Sequence, residues 1–389
     1  MKIAVVASHP IQYQAPIFRA LAERCALQVF FAHRASPAEQ GAAGFGGAFD
    51  WDVDLTEGYD HSFLRNVAAA PNASRFYGCD TPEIGARLRE GRFSAALVMG
   101  WHLKTYVQTI LSAKMTGLPV MVRGDSQLST PRSALKRVVK EAAYPPMLRF
   151  FDAALYVGAR SRAYYEHYRF PAQKLYFAPH CVDNMWFSQR ATAAARDELR
   201  ATLGVAEETT LLLFAGKLAP RKRPLDVIEA AARLRRTGAA VEVMVAGDGE
   251  LRDALQQAAE ATGVRLHMLG FCNQTRMPQA YAACDMLVLP SSGEETWGLV
   301  VNEALASGRP VVVSDQCGSA PDLAAPPCGR IFAAGDCDAL ARAVESLMAH
   351  PPQQTDLVEL IGRYSVSETV NAIMRAADAI ARPNRSVAA

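Results

Sequence analysis

Two glutamates, Glu295 and Glu303, stand eight positions apart in the stretch SSGEETWGLVVNEALASGRPVVVSD. The apolar run before it, Cys284-Asp285-Met286-Leu287-Val288-Leu289, reads as a buried strand that Pro290 and Ser291 end. Gly298 then opens an amphipathic helix, Leu299 to Ala306, closed by Gly308-Arg309-Pro310. Such a junction offers backbone N–H groups and a positive dipole end to an anion. Carboxylates beside it accept hydrogen bonds from sugar hydroxyls. Amides for a diphosphate and carboxylates for diols are the two halves of a grip on a nucleotide-sugar. Glu303 falls about five residues into the helix, roughly 7 Å from its start at 1.5 Å per residue, a depth suited to a ribose.

Other candidates follow predicted strands. Lys217 and Lys222 come after the run Leu211–Ala215, at the carboxyl edge where open α/β sheets bind ligands. Two cations there would neutralise a departing diphosphate, each charge-assisted bond contributing about 1.5–3 kcal/mol when shielded. The run Arg221-Lys222-Arg223 also reads as a solvated basic turn. Gly247-Asp248-Gly249 reads as a tight strand-to-helix turn, and Gly270-Phe271 follows another strand at the same edge. In the first half, His102 follows Ala95–Met99 and Asp125 follows Pro119–Val122. Both are expected at a carboxyl edge facing a cleft, although a lone loop histidine is more often structural. Trp297 reads equally as a sugar-facing aromatic and as an interdomain core residue.

These segments carry a resemblance. FAGKLAPRKRP from Phe214, AGDGEL from Ala246, LGF from Leu269, YAACDMLVLPSS, the Glu-(seven residues)-Glu segment and VVVSDQCGSAPDL follow one another in the C-terminal half. Together they resemble the retaining glycosyltransferases of GT-B fold, of the bacterial group 1 or family-four type. The match is specific mainly from Phe214 to Leu323. It implies that Glu303 accepts from ribose hydroxyls, and that Glu295 and Asp125 orient the transferred sugar. Lys217 and Lys222 would hold the leaving diphosphate. The donor would lie along Gly216, Lys217, Lys222, Gly270, Phe271, Glu295, Thr296, Trp297, Gly298, Leu299 and Glu303. Five departures are visible, one of them Asp125 itself, which stands after the strand Pro119–Val122 where many relatives place a His that contacts the donor sugar. Relatives usually carry Arg at Lys217, Gly-Phe-Gly where Thr296-Trp297-Gly298 stands, and Pro-Asn-Gly-Val-Asp where Pro179-His180-Cys181-Val182-Asp183 stands. The Gly-rich loop common after the first strand is replaced by His9-Pro10-Ile11-Gln12-Tyr13.

The elements needed to position these residues are legible. Short apolar runs alternate with helical patterns almost throughout, which reads as βαβ units with parallel sheets. Strands are expected at Ile3–Ala7, Leu27–Phe31, Ala95–Met99, Pro119–Val122, Ala153–Val157 and Leu175–Ala178, then at Leu211–Ala215, Val241–Ala246, Leu266–Leu269, Met286–Leu289 and Pro310–Val313. Helices are expected at Ala15–Glu23, Thr105–Lys114 and Arg132–Leu148. The stretch His33–Asn66 lacks clean periodicity and reads as a functional insertion or an irregular strand pair. At 389 residues, two domains are the prior. The expected fold class is α/β, GT-B: two Rossmann-like doubly wound parallel-sheet domains facing a central cleft. The acceptor-side domain would span 1–186 and the nucleotide-sugar domain 187–366. A helix at 367–382 would cross back, and 383–389 would form a tail.

Composition narrows the rest. Net charge is +2, so no strong field points to nucleic acid. Eight scattered cysteines with no CxxC read as reduced thiols. No G-x-G-x-x-G and no Walker A sequence is present, against dinucleotide oxidoreductases and P-loop NTPases. Asp50-Trp51-Asp52-Val53-Asp54 contains Asp-x-Asp, but outside the donor segments, so no metal and no cofactor is expected. The apolar start MKIAVVASHP reads as a first strand rather than a signal peptide. Location is expected to be cytoplasmic, or peripheral on the inner face of the membrane. The basic residues Lys136, Arg137, Lys140 and Arg149 among apolar neighbours read as a membrane-surface face or an ordinary solvated helix. The function that follows is sugar transfer, with retention, from a nucleotide-sugar to a saccharide or lipid-linked saccharide acceptor in surface-glycan synthesis. A GT-B nucleotide-sugar epimerase and a non-catalytic nucleotide-sugar-binding protein stay open. Paired carboxylates also suit a glycoside hydrolase, but amides and lysines suit a diphosphate better.

Overall fold

The computed structural model describes residues 1–42, 47–130 and 133–381. The first sheet holds β1 (Lys2–Ala7), β2 (Ala26–Phe31), β3 (His61–Phe63), β4 (Ala95–Val98), β5 (Val120–Gly124), β6 (Ala153–Tyr156) and β7 (Leu175–Phe177). The second holds β8 (Thr210–Ala215), β9 (Val241–Ala246), β10 (Leu266–Gly270), β11 (Met286–Leu289), β12 (Val311–Ser314) and β13 (Gly329–Phe332). Their orders are β3-β2-β1-β4-β5-β6-β7 and β10-β9-β8-β11-β12-β13. Every pairing is parallel. Central strands are buried along their length, for instance Ala95–Val98 and Val241–Ala246, because crossover helices cover both faces of a parallel sheet.

The strand order matters for the site. In each sheet the chain starts centrally, winds to one edge, then returns and winds to the other. The reversal lies between β1 and β4 in the first sheet and between β8 and β11 in the second. Loops leaving those strands diverge and open a crevice at the carboxyl edge. This brings the loop after β8, with Gly216, Lys217 and Lys222, beside the loop after β11, with Glu295.

The helix Val366–Ile380 returns to the first domain. Val370, Ile373, Ala376 and Ala377 pack into the same apolar cluster as Ile3, Phe18 and Leu21. The Thr369 hydroxyl donates to the carbonyl of Pro179 at 2.8 Å. The expected tail at 383–389 lies outside the described residues, as does Arg132 at the start of the helix expected at Arg132–Leu148. That helix runs from Ala134 to Leu148, with Ser133 accepting from the Lys136 amide as N-cap.

Two strands escaped sequence reading. β3 and β13 are three- and four-residue edge strands, too short to show a period. Among the described residues, the segment expected to be an insertion or a strand pair holds a short helix, Pro37–Ala42, and the strand β3.

Candidate functional site

A cavity of ≈ 250 Å³ lies between the domains at the carboxyl edges of both sheets. From β1 come Gln12 and Tyr13, from β8 Gly216, Lys217 and Lys222, and from β9 Gly247 and Asp248. Phe271, Cys272 and Gln274 follow β10, and Glu295, Gly298, Leu299 and Glu303 follow β11.

Backbone sterics shape its floor. Gly298 has φ +89°, and a Cβ there would sit 2.7 Å from Leu289 Cδ2 and 3.0 Å from Cys317 Sγ. Gly247 has φ +153°, and a Cβ would sit 1.9 Å from the carbonyl oxygen of Gly216. Only glycine lets these turns close while keeping backbone at the cavity wall.

Glu295 and Lys222 form an ion pair through Oε2 and Nζ, 14% and 13% exposed for Lys222 and Glu295 respectively. The Ser291 hydroxyl donates to the same carboxylate oxygen at 3.2 Å. Glu294, the neighbour that spacing set aside, is exposed. Lys217 sits next to this pair. Burial, then the charges of Arg221 and Lys222, push its ammonium below the ordinary lysine range, and Glu295 only partly offsets them.

Glu303 is the second carboxylate of the cavity. The Tyr281 hydroxyl donates to its Oε2 at 2.7 Å. Burial raises its pKa to about 7, the Tyr281 bond opposing the rise. It is the fourth residue of the helix Val300–Ala306, at the end of the first turn, and its side chain lines the cavity.

The remaining predicted residues fall elsewhere. Asp125 and His102 do not line the cavity. Asp125 accepts from the Thr296 hydroxyl at 2.7 Å, across the domain boundary and one residue from Glu295. Burial alone would raise its pKa, but His180 and the Thr296 hydroxyl outweigh burial and hold the carboxylate ionised. His180 Nε2 is 3.9 Å away. His102 is exposed and packs its ring on Tyr106 at 5.6 Å. Trp297 takes the interdomain-core alternative. It is buried, its indole N–H donates to Asn302 at 2.8 Å, and its ring packs on His180 at 5.5 Å and Tyr364 at 6.1 Å. Gly270, the last residue of β10, and Thr296, in the loop after β11, do not line the cavity.

Sequence reading missed several contributors. Ser291 and Tyr281 hold the two glutamates, yet neither has a spacing signature. His180 was visible only as a departure from Pro-Asn-Gly-Val-Asp. The Asp-x-Asp stretch resolves into two separate jobs. Asp54 Oδ1 accepts from the Thr56 and Glu57 amides at 2.7 and 3.0 Å, closing a turn. Asp52 accepts from the Thr275 amide of the other domain at 3.1 Å. Among the described residues no group of three or more His, Cys, Asp or Glu side chains is placed to hold a metal ion.

Two parallel-sheet domains, a returning terminal helix and a cleft with cations and carboxylates on its C-terminal wall define a GT-B architecture. Residues 195–362 match the model of the glycosyl transferases group 1 family. Among curated relatives, the lipopolysaccharide 1,2-N-acetylglucosaminetransferase of Salmonella typhimurium is 30% identical over 186 residues, 45% of this chain and 48% of that protein. The alpha-D-kanosaminyltransferase of Streptomyces kanamyceticus is 29% identical over 191 residues, 49% of each. The chain thus spans about half the length of the curated relatives it matches. Among solved structures, Anabaena HepE in complex with UDP and glucose superposes with a TM-score of 0.70, at 18% identity, covering 97% of this chain and 100% of that one. The similarity over the whole length is one of fold.

Proposed function

We propose that the protein transfers a sugar from a nucleotide-sugar to a hydroxyl acceptor with retention at the anomeric carbon. The observation that carries this reading is the convergence of Lys217, Lys222, Glu295 and Glu303 on one cavity at a topological switch point. Glu303 accepts from ribose hydroxyls. Lys217 and Lys222 meet the diphosphate, with no metal ion required for that charge. Glu295 turns from Lys222 to the hydroxyls of the transferred sugar when the diphosphate takes over the lysine. Asp125 and His180 position the Thr296 backbone, and through it Glu295. Catalysis rests on placement and on stabilising the departing diphosphate. In a front-face route the leaving phosphate oxygen takes the acceptor proton, the anomeric C–O bond to phosphate breaks, and the bond to the acceptor oxygen forms on the same face.

The relatives' names favour a saccharide acceptor, in lipopolysaccharide for the Salmonella enzyme. Two HepE structures contain UDP, which makes UDP-sugars the first donors to try. A thermal-shift screen of UDP-, GDP-, ADP- and dTDP-sugars is expected to single out one base by several degrees, since stabilisation grows with ligand concentration over Kd. Product stereochemistry by NMR then tests retention. Epimerised sugar from donor alone would instead identify an epimerase, and absence of stabilisation by every donor would remove the donor site.

A peripheral membrane location has its own support. On the helix Ala134–Leu148, Leu135, Val138 and Val139 are 74%, 67% and 57% exposed and share one stripe, with Lys136 and Arg137 beside them. Lys140 is not part of that face, since its ammonium lies over the Tyr144 ring at 4.3 Å. Among the described residues no helix is long and apolar enough to cross a membrane. The protein is expected to sediment with vesicles containing anionic lipid, and Leu135→Ser with Val139→Ser to abolish this. Equal sedimentation of the variant counts against the stripe.

A further inference from the structure

Residues 49–52 reach across the cleft to the other domain. The Phe49 ring lies 4.6 Å from the Phe271 ring of the other domain. The Asn273 amide donates to the carbonyl of Asp50 at 2.8 Å. The Thr275 amide and hydroxyl both donate to the Asp52 carboxylate, the amide at 3.1 Å. These contacts pin the strap onto the loop after β10. Trp51 lies between the pinned residues and lines the same cavity as Gln274.

We infer that Trp51 and Gln274 together recognise the base of the nucleotide, one residue from each domain, and determine which nucleotide is taken. This rests on the donor reading above. The sheet order supplies the scale. β11, β8, β9 and β10 lie side by side, so the loops after β11 and β10 are separated by three strand spacings, roughly 14 Å. The diphosphate cations stand after β8 and Glu303 beyond β11. Glu303, the proposed ribose contact, reaches across to the helix Met277–Ala283 that follows Gln274, accepting from the Tyr281 hydroxyl at 2.7 Å, so a nucleotide with its phosphates at Lys217 and Lys222 and its ribose at Glu303 sends its base toward the loop after β10, where Gln274 and Trp51 line the same cavity.

Both residues have the chemistry for this. Gln274 Oε1 is buried with no hydrogen-bond partner, and a buried acceptor is costly until a donor reaches it. Nucleobase edges carry such N–H donors, and a glutamine amide can pair with an adjacent donor and acceptor together. Trp51 offers an aromatic face on which any base can stack. Its position is held by the Phe49 ring, 5.1 Å away, and that ring rests on Phe271.

Calorimetric titration of UDP, GDP, ADP and inorganic pyrophosphate into wild type, Trp51→Ala, Trp51→Phe and Gln274→Leu tests this. Trp51→Ala is expected to weaken the tightest nucleoside diphosphate by about tenfold or more, and Trp51→Phe to restore most of that. Gln274→Leu is expected to shrink the preference between the tightest and weakest base by about tenfold. Pyrophosphate binding should be unchanged in all three, which a general loss of cleft structure would not allow. Unchanged nucleotide affinities and unchanged base preference in the variants overturn the inference and leave the donor reading standing. A wild-type protein that binds none of the three nucleotides and is stabilised by no nucleotide-sugar of the donor screen, dTDP-sugars included, overturns both. If Trp51→Ala does not fold, Trp51→Phe and Gln274→Leu decide the matter.

Discussion

Replacing Lys222 by methionine is expected to lower the transfer rate by at least about a hundredfold and, at the same time, to lower the unfolding midpoint. The catalytic loss follows from removing a preorganised charge at the oxygen where negative charge develops, for which single donors contribute about 10²–10³ in rate. The stability loss follows from the pairing. Lys222 and Glu295 are both mostly buried, and breaking one half of a buried pair costs about 3–5 kcal/mol because the other charge is left uncompensated. The Ser291 hydroxyl at 3.2 Å offsets only part of this. The double variant Lys222→Met with Glu295→Gln should regain most of the stability and none of the activity. Denaturant unfolding and single-turnover transfer separate the two. A single variant of normal activity would falsify the leaving-group role. A double variant as unstable as Lys222→Met would show that the pair is not what holds this wall.

Replacing Glu303 by glutamine is expected to stabilise the empty protein above pH 7 and to weaken donor binding there by about ten- to hundredfold, from lost charge-assisted bonds. Burial raises the folded pKa from an ordinary 4.5 to about 7. The folded state therefore keeps a proton between those values that the unfolded state has lost, so stability falls as pH rises through this window. Above it the buried carboxylate is a fixed cost with an upper bound of roughly 3 kcal/mol, which glutamine removes. Binding has the opposite sign. The ionised carboxylate accepts ribose hydroxyls best, so donor affinity should rise with pH through about 7. It should fall again at higher pH as Lys217, with its depressed pKa, loses its proton. A nucleotide-sugar diphosphate has no titrating oxygen in this range, so the rising limb belongs to the protein. Calorimetry across pH with wild type and Glu303→Gln reads it. A wild-type profile with no rising limb, or one that Glu303→Gln leaves in place, would separate Glu303 from the ribose.

Much of the architecture was legible because long, buried parallel strands announce themselves as continuous apolar runs. The strands from β4 to β7 and from β8 to β12 fell within a residue or two of their expected positions. Edge strands β3 and β13 did not, since three or four residues carry no period. The spacing of Glu295 and Glu303 on a strand-loop-helix junction was equally local, and seven intervening residues fixed their relative height. Trp297 was undecidable from sequence, because a large aromatic beside a glycine satisfies a core and a ligand wall alike. Its burial against His180 and Tyr364 is a property of two domains meeting.

By itself, then, the chain's covalent order determined two parallel-sheet domains and a strand-loop-helix junction that carries two glutamates at a fixed spacing, because these depend on periodicity and spacing over a few residues. Only the tertiary structure decided that Lys222 pairs with Glu295, 73 positions away, that Asp125 grips Thr296 instead of lining the cavity, and that Trp51 and Gln274, from different domains, line one cavity. Those contacts are set by strand order at the switch point and by how one domain is seated on the other, and no local pattern of residues encodes either.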